Sequence, residues 1–477
     1  MVLGFQLFRF ALLPFMGLMP QDAYYHFYGE HLALSYFDHP GMIGYILRGF
    51  TSVFGKTVWV IKLADFTVSS LTLLSFYQLS EKFLSKGKAQ RAIVLLSSTI
   101  CISILSFNST PDVPLMLFWT LSVFALYKAI FEKNTRYWIF AGITMGLAFD
   151  SKYTALLLPI GLLGFLLFSK TYRSLFISPW LWVCLLVTAL VTTPVWWWNY
   201  QHDFASFLFQ SSHRTGTISK FQISPNYFFG AIGHQMLLLL PVLLLLFIRV
   251  SYAYCKKIVF KRQLPSDTTL FLLAFFIPTF LGFFLLSPIY WIKLNWLMPS
   301  YITGVVLVSM FTSKKMLKTQ VAFSIVFHLL FSLQILFYLV PIKSDDTWEG
   351  WEELADATTQ LQETYPKTFV FSNDNYKTSA ALNFFLEQKV YAQNIVGLPA
   401  LQFDYIGDDL RLLTGRSALF IDSDKRFKNR NKKEKTPEIL TDYFVKVTQL
   451  PPIIIQRKGK EIRKFWVFYC EEYQAKK

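Results

Sequence analysis

Charge is scarce in this sequence, and acidic charge scarcest of all. Only 16% of its 477 residues are charged, where a soluble domain carries about 25%. Residues 1–340 hold ten Asp and Glu against 25 Lys and Arg. The four cysteines, at 101, 184, 255 and 470, are scattered, which argues against a disulfide framework and offers no metal-ligand spacing. No Gly-rich phosphate loop occurs, so nothing marks a nucleotide site. The first apolar segment has no basic n-region, and no small-residue cleavage site precedes Asp22; it is expected to be retained as a helix.

Apolar residues fill the chain instead: 53% are hydrophobic, 49 are Phe, and the mean hydropathy is +0.39. Runs of membrane-spanning length recur through the first 340 residues. The reading is an α-helical polytopic membrane protein with spans at 2–19, 58–79, 92–107, 115–131, 137–150, 155–169, 176–195, 227–248, 269–287, 298–312 and 320–341. That divides the chain into a membrane domain, 1–341, with a first outer loop at 20–57, and a tail, 342–477. Helix patterns at 348–364 and 378–387, with strand patterns at 368–372, 418–421, 444–450 and 465–469, make the tail a small α/β domain.

The net charge of +16 does not point to nucleic acid. Residues 341–477 hold 21 Lys+Arg and 20 Asp+Glu, so the excess belongs to the membrane part, where it orients the spans. One set of connections carries 17 basic residues, among them Lys82, Lys128, Lys170, Lys256 and Lys314; the alternate set carries six. The richer set is expected in the cytoplasm, with the N-terminus, leaving the 20–57 loop and the tail outside a bacterial inner membrane. The run Lys425–Lys435, seven basic residues in eleven, reads most simply as a solvated loop, with contact to anionic lipid headgroups as the alternative.

Most of the few carboxylates collect on that outer face, as do six of the seven histidines. Ionisable groups at membrane depth are costly and usually line a functional cavity. Five polar clusters result: Asp22 with Asp38-His39-Pro40; Asn108 to Pro114 around Asp112; Asp150 to Thr154 around Lys152 and Tyr153; Trp196 to Asp203 with Asn199 and His202, running on to Arg214; and Tyr290 to Trp296 with Lys293 and Asn295. A carboxylate can take or orient the proton of an attacking hydroxyl. A leaving phosphate needs Lys or Arg beside it. Aromatics stack on sugar faces or anchor helices at the headgroup level. Bland roles compete with each of these: helix caps for Asp22 and Asp112, a turn for Asp38 and His39, snorkelling for Lys152, an aromatic belt for Trp196–Trp198.

In order and spacing these clusters resemble the bacterial relatives of the dolichyl-phosphate-mannose–protein mannosyltransferases, integral-membrane glycosyltransferases of the GT-C class. The matching residues are Gln21-Asp22-Ala23-Tyr24-Tyr25, Tyr36-Phe37-Asp38-His39-Pro40, Thr110-Pro111-Asp112-Val113-Pro114, Ser151-Lys152-Tyr153-Thr154, Trp198-Asn199 with His202-Asp203, and Asn295-Trp296, over about residues 1–310. The resemblance implies a polyprenyl-phosphate-linked sugar donor and an inverting transfer on the extracytoplasmic side. It puts the family's acidic pair on Gln21 and Asp22, so the first acid is replaced by an amide that cannot act as a base. Gly41 also stands where relatives carry a second proline. Asp22 is then the expected base, supported by Asp38 and Asp112. Lys152, Arg214 and Lys293, in that order, are the candidates for the donor phosphate, and His39, Tyr153, Asn199, His202 and Asn295 complete the substrate-binding set. The implied acceptor is a glycolipid, lipid A or lipopolysaccharide, by analogy with relatives such as the lipid A aminoarabinose transferase. A protein hydroxyl, or non-enzymatic transport of lipid-linked sugars, are the alternatives. No cofactor is required by the sequence, and a divalent metal stays open.

Overall fold

Backbone placed in hydrocarbon must satisfy its own N–H and C=O groups, so apolar runs of this length fold as helices. The computed structural model describes residues 1–218, 223–342, 344–424 and 437–475, without the side chains of 212–218. The Arg214 side chain and the Lys425–Lys435 run therefore lie outside the described residues. In chain order the helices are α1 (Val2–Leu12), α2 (Pro20–Glu30), α3 (Met42–Phe54), α4 (Val58–Ser80), α5 (Lys86–Ser97), α6 (Ile100–Phe107), α7 (Asp112–Ile130) and α8 (Arg136–Ser151). There follow α9 (Leu157–Phe168), α10 (Pro179–Val191), α11 (Thr193–Gln201), α12 (Ala205–Ile218), α13 (Pro225–Cys255), α14 (Asp267–Leu286), α15 (Met298–Ser309) and α16 (Lys314–Phe337).

Among the described residues five helices are long and apolar enough to cross a bilayer, or up to eight if each of three bent pairs is one span. All eleven expected segments are helical, but 155–169 and 298–312 give helices of only 12 residues, short of a bilayer's thickness. The expected spans 2–19, 92–107 and 176–195 each lie in a bent pair: α1 with α2 (81°), α5 with α6 (58°), and α10 with α11 (44°). Proline opens two of the second halves, at Pro20 and Pro194, where its missing N–H costs nothing. The α5–α6 break has no proline; its freed carbonyls are taken instead by buried Arg9, whose Nη2 donates to Ser97 O at 2.5 Å and to Thr99 O at 3.4 Å. Helix α13 is kinked at Leu240, non-helical before Pro241.

By packing, the described chain forms two compact units interleaved in sequence: residues 1–13, 39–43 and 62–333 make one, and 14–38, 44–61 and 334–477 the other. In the first, α7 and α8 form an antiparallel hairpin against which α10 packs. Gly142 and Gly146, one turn apart on α8, permit that approach: a Cβ at Gly146 would lie 2.5 Å from Val191 Cβ.

The second unit holds α2, α3 and the tail, with helices α17 (Trp351–Thr364), α18 (Lys377–Phe385) and α19 (Glu438–Thr441). Its strands are β1 (Phe369–Phe371), β2 (Val390–Tyr391), β3 (Ala418–Ser423), β4 (Phe444–Gln449), β5 (Ile453–Arg457) and β6 (Lys460–Tyr473). The sheet runs β2-β1-β3-β6-β4, parallel from β2 to β3 and antiparallel around β6, with β5 paired to the first part of β6. β1 and the first four residues of β3 read as unbroken apolar runs because both sheet faces are covered. Val370, Leu419, Ile421 and Val467 face α17 and α18, whereas Phe369, Phe371, Phe420 and Phe468 form a second core with Phe444. In the same unit α2 packs on α18, with Tyr24 stacked on Tyr376 at 4.3 Å and Phe27 on Phe403 at 4.4 Å.

Candidate active site

The membrane unit gathers three of the singled-out side chains. Residues 112 and 152 lie at opposite ends of the α7–α8 hairpin in sequence, so antiparallel packing brings them to the same end in space. Asp112 opens α7 beside Pro111 and Pro114, where the positive end of the helix dipole favours a carboxylate. Lys152 follows the last turn of α8 in extended backbone, φ −160° and ψ 137°. Its Nζ donates to both oxygens of Asp112 at 2.9 Å, and both residues are buried. Asn295, from the connection before α15, donates through Nδ2 to Asp112 Oδ2. A buried carboxylate is tolerated only when paired and hydrogen-bonded, and Asp112 has both.

The other candidates of this unit make contacts of their own. Asn199 is a turn clamp: its Nδ2 donates to Val195 O at 3.0 Å, and its Oδ1 accepts from the Phe207 N–H at 3.2 Å. That clamp holds the α11–α12 corner, where Asp203 and Phe204 take positive φ of 50° and 57°. His202 pairs through Nδ1 with Trp198 O at 2.8 Å, its ring stacked on Trp198 at 4.1 Å. Tyr153 and Ser206 share a hydroxyl–hydroxyl bond of 2.6 Å. Lys293 is exposed and His39 half-buried.

The second unit carries the first-loop carboxylates. Asp22 is fully buried on the first turn of α2, and its Oδ2 accepts the Met19 N–H at 2.7 Å. It is thus a capping residue but not the exposed acid that a simple cap would be. Asp38 Oδ1 accepts from Tyr24 at 3.0 Å and from Tyr28 Oη. These tyrosines, four apart on α2, share one helix face, a signal present in the sequence but outweighed there by the acids. The tail adds Gln402, whose N–H donates to Tyr24 Oη at 3.2 Å while its Oε1 accepts the Phe37 N–H at 2.9 Å. Gln21 donates through Nε2 to Asp346 Oδ1 at 3.3 Å. Asp346 and Asp345 both pair with Lys377, at 2.9 and 3.2 Å. Burial works against the Lys377 ammonium, but the two carboxylates outweigh it and raise its pKa. Tail residues 345, 346, 376, 377 and 402 carried no motif, and only packing links them to the loop. Among the described residues no group of three or more His, Cys, Asp or Glu is arranged to hold a metal ion.

Residues 38–198 match the family model of the dolichyl-phosphate-mannose-protein mannosyltransferases. In sequence and in fold the chain is thus similar to integral-membrane glycosyltransferases of the GT-C class. Among individual proteins, the chain is 25% identical to the lipid A galacturonosyltransferase RgtD of Rhizobium johnstonii over 490 residues, spanning 94% of this chain and 98% of that one. It superposes on ArnT of Cupriavidus metallidurans bound to undecaprenyl phosphate with a TM-score of 0.65 at 12% identity, covering 98% of this chain and 97% of that one. The apo form of the same protein gives 0.64 at 12% identity, over 97% and 96% of the two chains.

Proposed function

We propose that this protein moves a sugar from a polyprenyl-phosphate carrier to a glycolipid acceptor, lipid A or lipopolysaccharide, on the extracytoplasmic side of a bacterial inner membrane. The observation that carries this reading is similarity along 94% of the chain to a lipid A galacturonosyltransferase. The likeness in fold to ArnT, a protein crystallised with undecaprenyl phosphate, supports the donor class. In this reading the N-terminus is cytoplasmic, residues 1–341 are the membrane catalytic domain, and residues 342–477 are an extracytoplasmic domain.

The step is an inverting displacement. The acceptor hydroxyl oxygen attacks the anomeric carbon as the bond from that carbon to the phosphate oxygen breaks. The bonding pair leaves with the polyprenyl phosphate, and the hydroxyl proton passes to Asp22. The burial of Asp22 supports this assignment, because a carboxylate held out of water and bonded to the Met19 N–H is pre-oriented. Asp38, held by two tyrosine hydroxyls, supports acceptor orientation beside His39. Asp112, fixed by Lys152 and Asn295, is the supporting carboxylate that the membrane unit contributes to transfer. Because Lys152 serves Asp112, the donor phosphate is assigned to Lys293 and Arg214.

The test is reconstitution with a labelled polyprenyl-phosphate sugar, lipid A and envelope protein as acceptors, comparing wild type with Asp22→Asn. The expected result is label in lipid A, reduced about 10²–10⁴-fold by the substitution. Equal transfer by both proteins removes Asp22 from the mechanism; label in protein moves the acceptor to a protein hydroxyl.

A further inference from the structure

Helix α4 carries a lysine and an aspartate, Lys62 and Asp65, that are 0% and 1% exposed inside the apolar bundle. Burying such groups costs several kcal/mol per ion, so their partners are informative. Lys62 Nζ donates to the carbonyl oxygen of Phe107 at 2.6 Å. Asp65 Oδ2 accepts the hydroxyl of Ser109, itself fully buried, at 2.7 Å. One turn further along α4, Ser69 and Ser106 share a hydroxyl–hydroxyl bond of 2.8 Å. Residues 62, 65 and 69 lie on one face of α4. They grip residues 106, 107 and 109, the end of α6 and the start of the short connection to Asp112.

Helix α6 is only eight residues long and almost wholly buried. Its far end is held in the same manner, by Arg9 donating to Ser97 O, Thr99 O and, through Nε, Ser103 Oγ at 3.0 Å. Two buried cations therefore take up carbonyl oxygens at the break before this half-helix and at its C-terminus, oxygens that a continuous span would have satisfied internally. The strut they fix ends five residues before Asp112.

We infer that Lys62 and Asp65 are positioning residues for transfer: by clamping Phe107 and Ser109 they set where the 108–111 turn presents Asp112 to Lys152 and Asn295. This rests on the reading of Asp112 as a group of the transfer site. An ordinary bundle contact would need neither charge, since a leucine at 62 would fill the space at lower cost. A carboxylate displaced by about 1 Å can lose 10²-fold in rate while substrate affinity is kept. The effect should appear in kcat and leave the KM for the donor alone.

The experiment measures sugar transfer by full-length protein in detergent or nanodiscs, with donor KM and kcat separated, for Ser109→Ala, Asp65→Asn, their double variant, Lys62→Met and Asp112→Asn. Ser109→Ala removes one hydroxyl and guards against a variant that merely fails to fold; thermal unfolding checks each protein. The expected result is a 10- to 100-fold loss of kcat in Ser109→Ala and in Asp65→Asn. Their donor KM should stay within about twofold, and the double variant should be no worse than the worse single one, because both remove the same bond. Unchanged kcat in folded Ser109→Ala and Asp65→Asn, with Asp112→Asn inactive, overturns the clamp and leaves the transfer reading standing. A loss that appears as raised KM, or that adds fully in the double variant, also overturns it. Full activity in Asp112→Asn overturns the clamp together with the role of Asp112.

Discussion

Gln21 stands where the family's pattern carries an acid, and its surroundings give that departure a physical reason. Its amide donates to Asp346, which belongs with Asp345 and Lys377 to a charged group in the tail. A glutamate at 21 would set a third carboxylate against two that already share one ammonium. Gln21→Glu is therefore expected to lower stability by about 0.5–1 kcal/mol, as exposed like-charge contacts do, and to leave transfer no faster than wild type. Thermal unfolding with Gln21→Glu/Asp346→Asn checks the cause: the second substitution should recover the loss. A rise in activity in the single variant would show that the missing acid matters and that Asp22 alone does not suffice.

At the scale of elements, close packing is decided by small residues at particular helix positions. Gly142 and Gly146 let α8 lie against α10, with no room for a Cβ beside Val187 and Val191. Since α8 also delivers Lys152 to Asp112, widening this contact reaches the site through one helix. Gly146→Leu is expected to destabilise by about 1–3 kcal/mol through overpacking and to reduce transfer. Gly164 on α9, where a Cβ would meet nothing within 4 Å, is the control: Gly164→Ala should be neutral or stabilising by up to about 1 kcal/mol. Equal effects of the two substitutions in a thermal-unfolding series would refute the packing account.

For the whole molecule, orientation follows from the distribution of Lys and Arg and is open to direct measurement. Leu32, 62% exposed in the first loop, and Cys255, beside Lys256 and Lys257, belong to connections expected on opposite sides of the membrane. A membrane-impermeant maleimide should label Leu32→Cys in intact spheroplasts when Cys255 is replaced by Ser, and should reach native Cys255 only after permeabilisation. Labelling of position 32 only from the cytoplasmic side would reverse the topology and exclude extracytoplasmic transfer.

The sequence by itself determined the class of fold and the identity of the main polar groups. Apolar run length is a one-dimensional property, and hydrocarbon leaves helices as almost the sole response to it. Four of the tail's strands were readable for a similar reason, as β-branched and aromatic runs, while the two-residue β2 was too short to signal itself and β5, directly after Pro451-Pro452, was not expected. What only the tertiary structure decided is partnership. Asp112, Lys152 and Asn295 are separated by up to 183 residues and meet because an antiparallel hairpin and the start of α15 converge. Asn199 and His202 make local backbone bonds that hold a corner, a structural role their sequence context did not announce. The α5–α6 break was equally hidden, because a buried arginine 88 residues away satisfies its carbonyls, whereas prolines stand at the other two bends. Long-range contacts of this kind depend on which helices lie side by side, and local hydropathy carries no record of that.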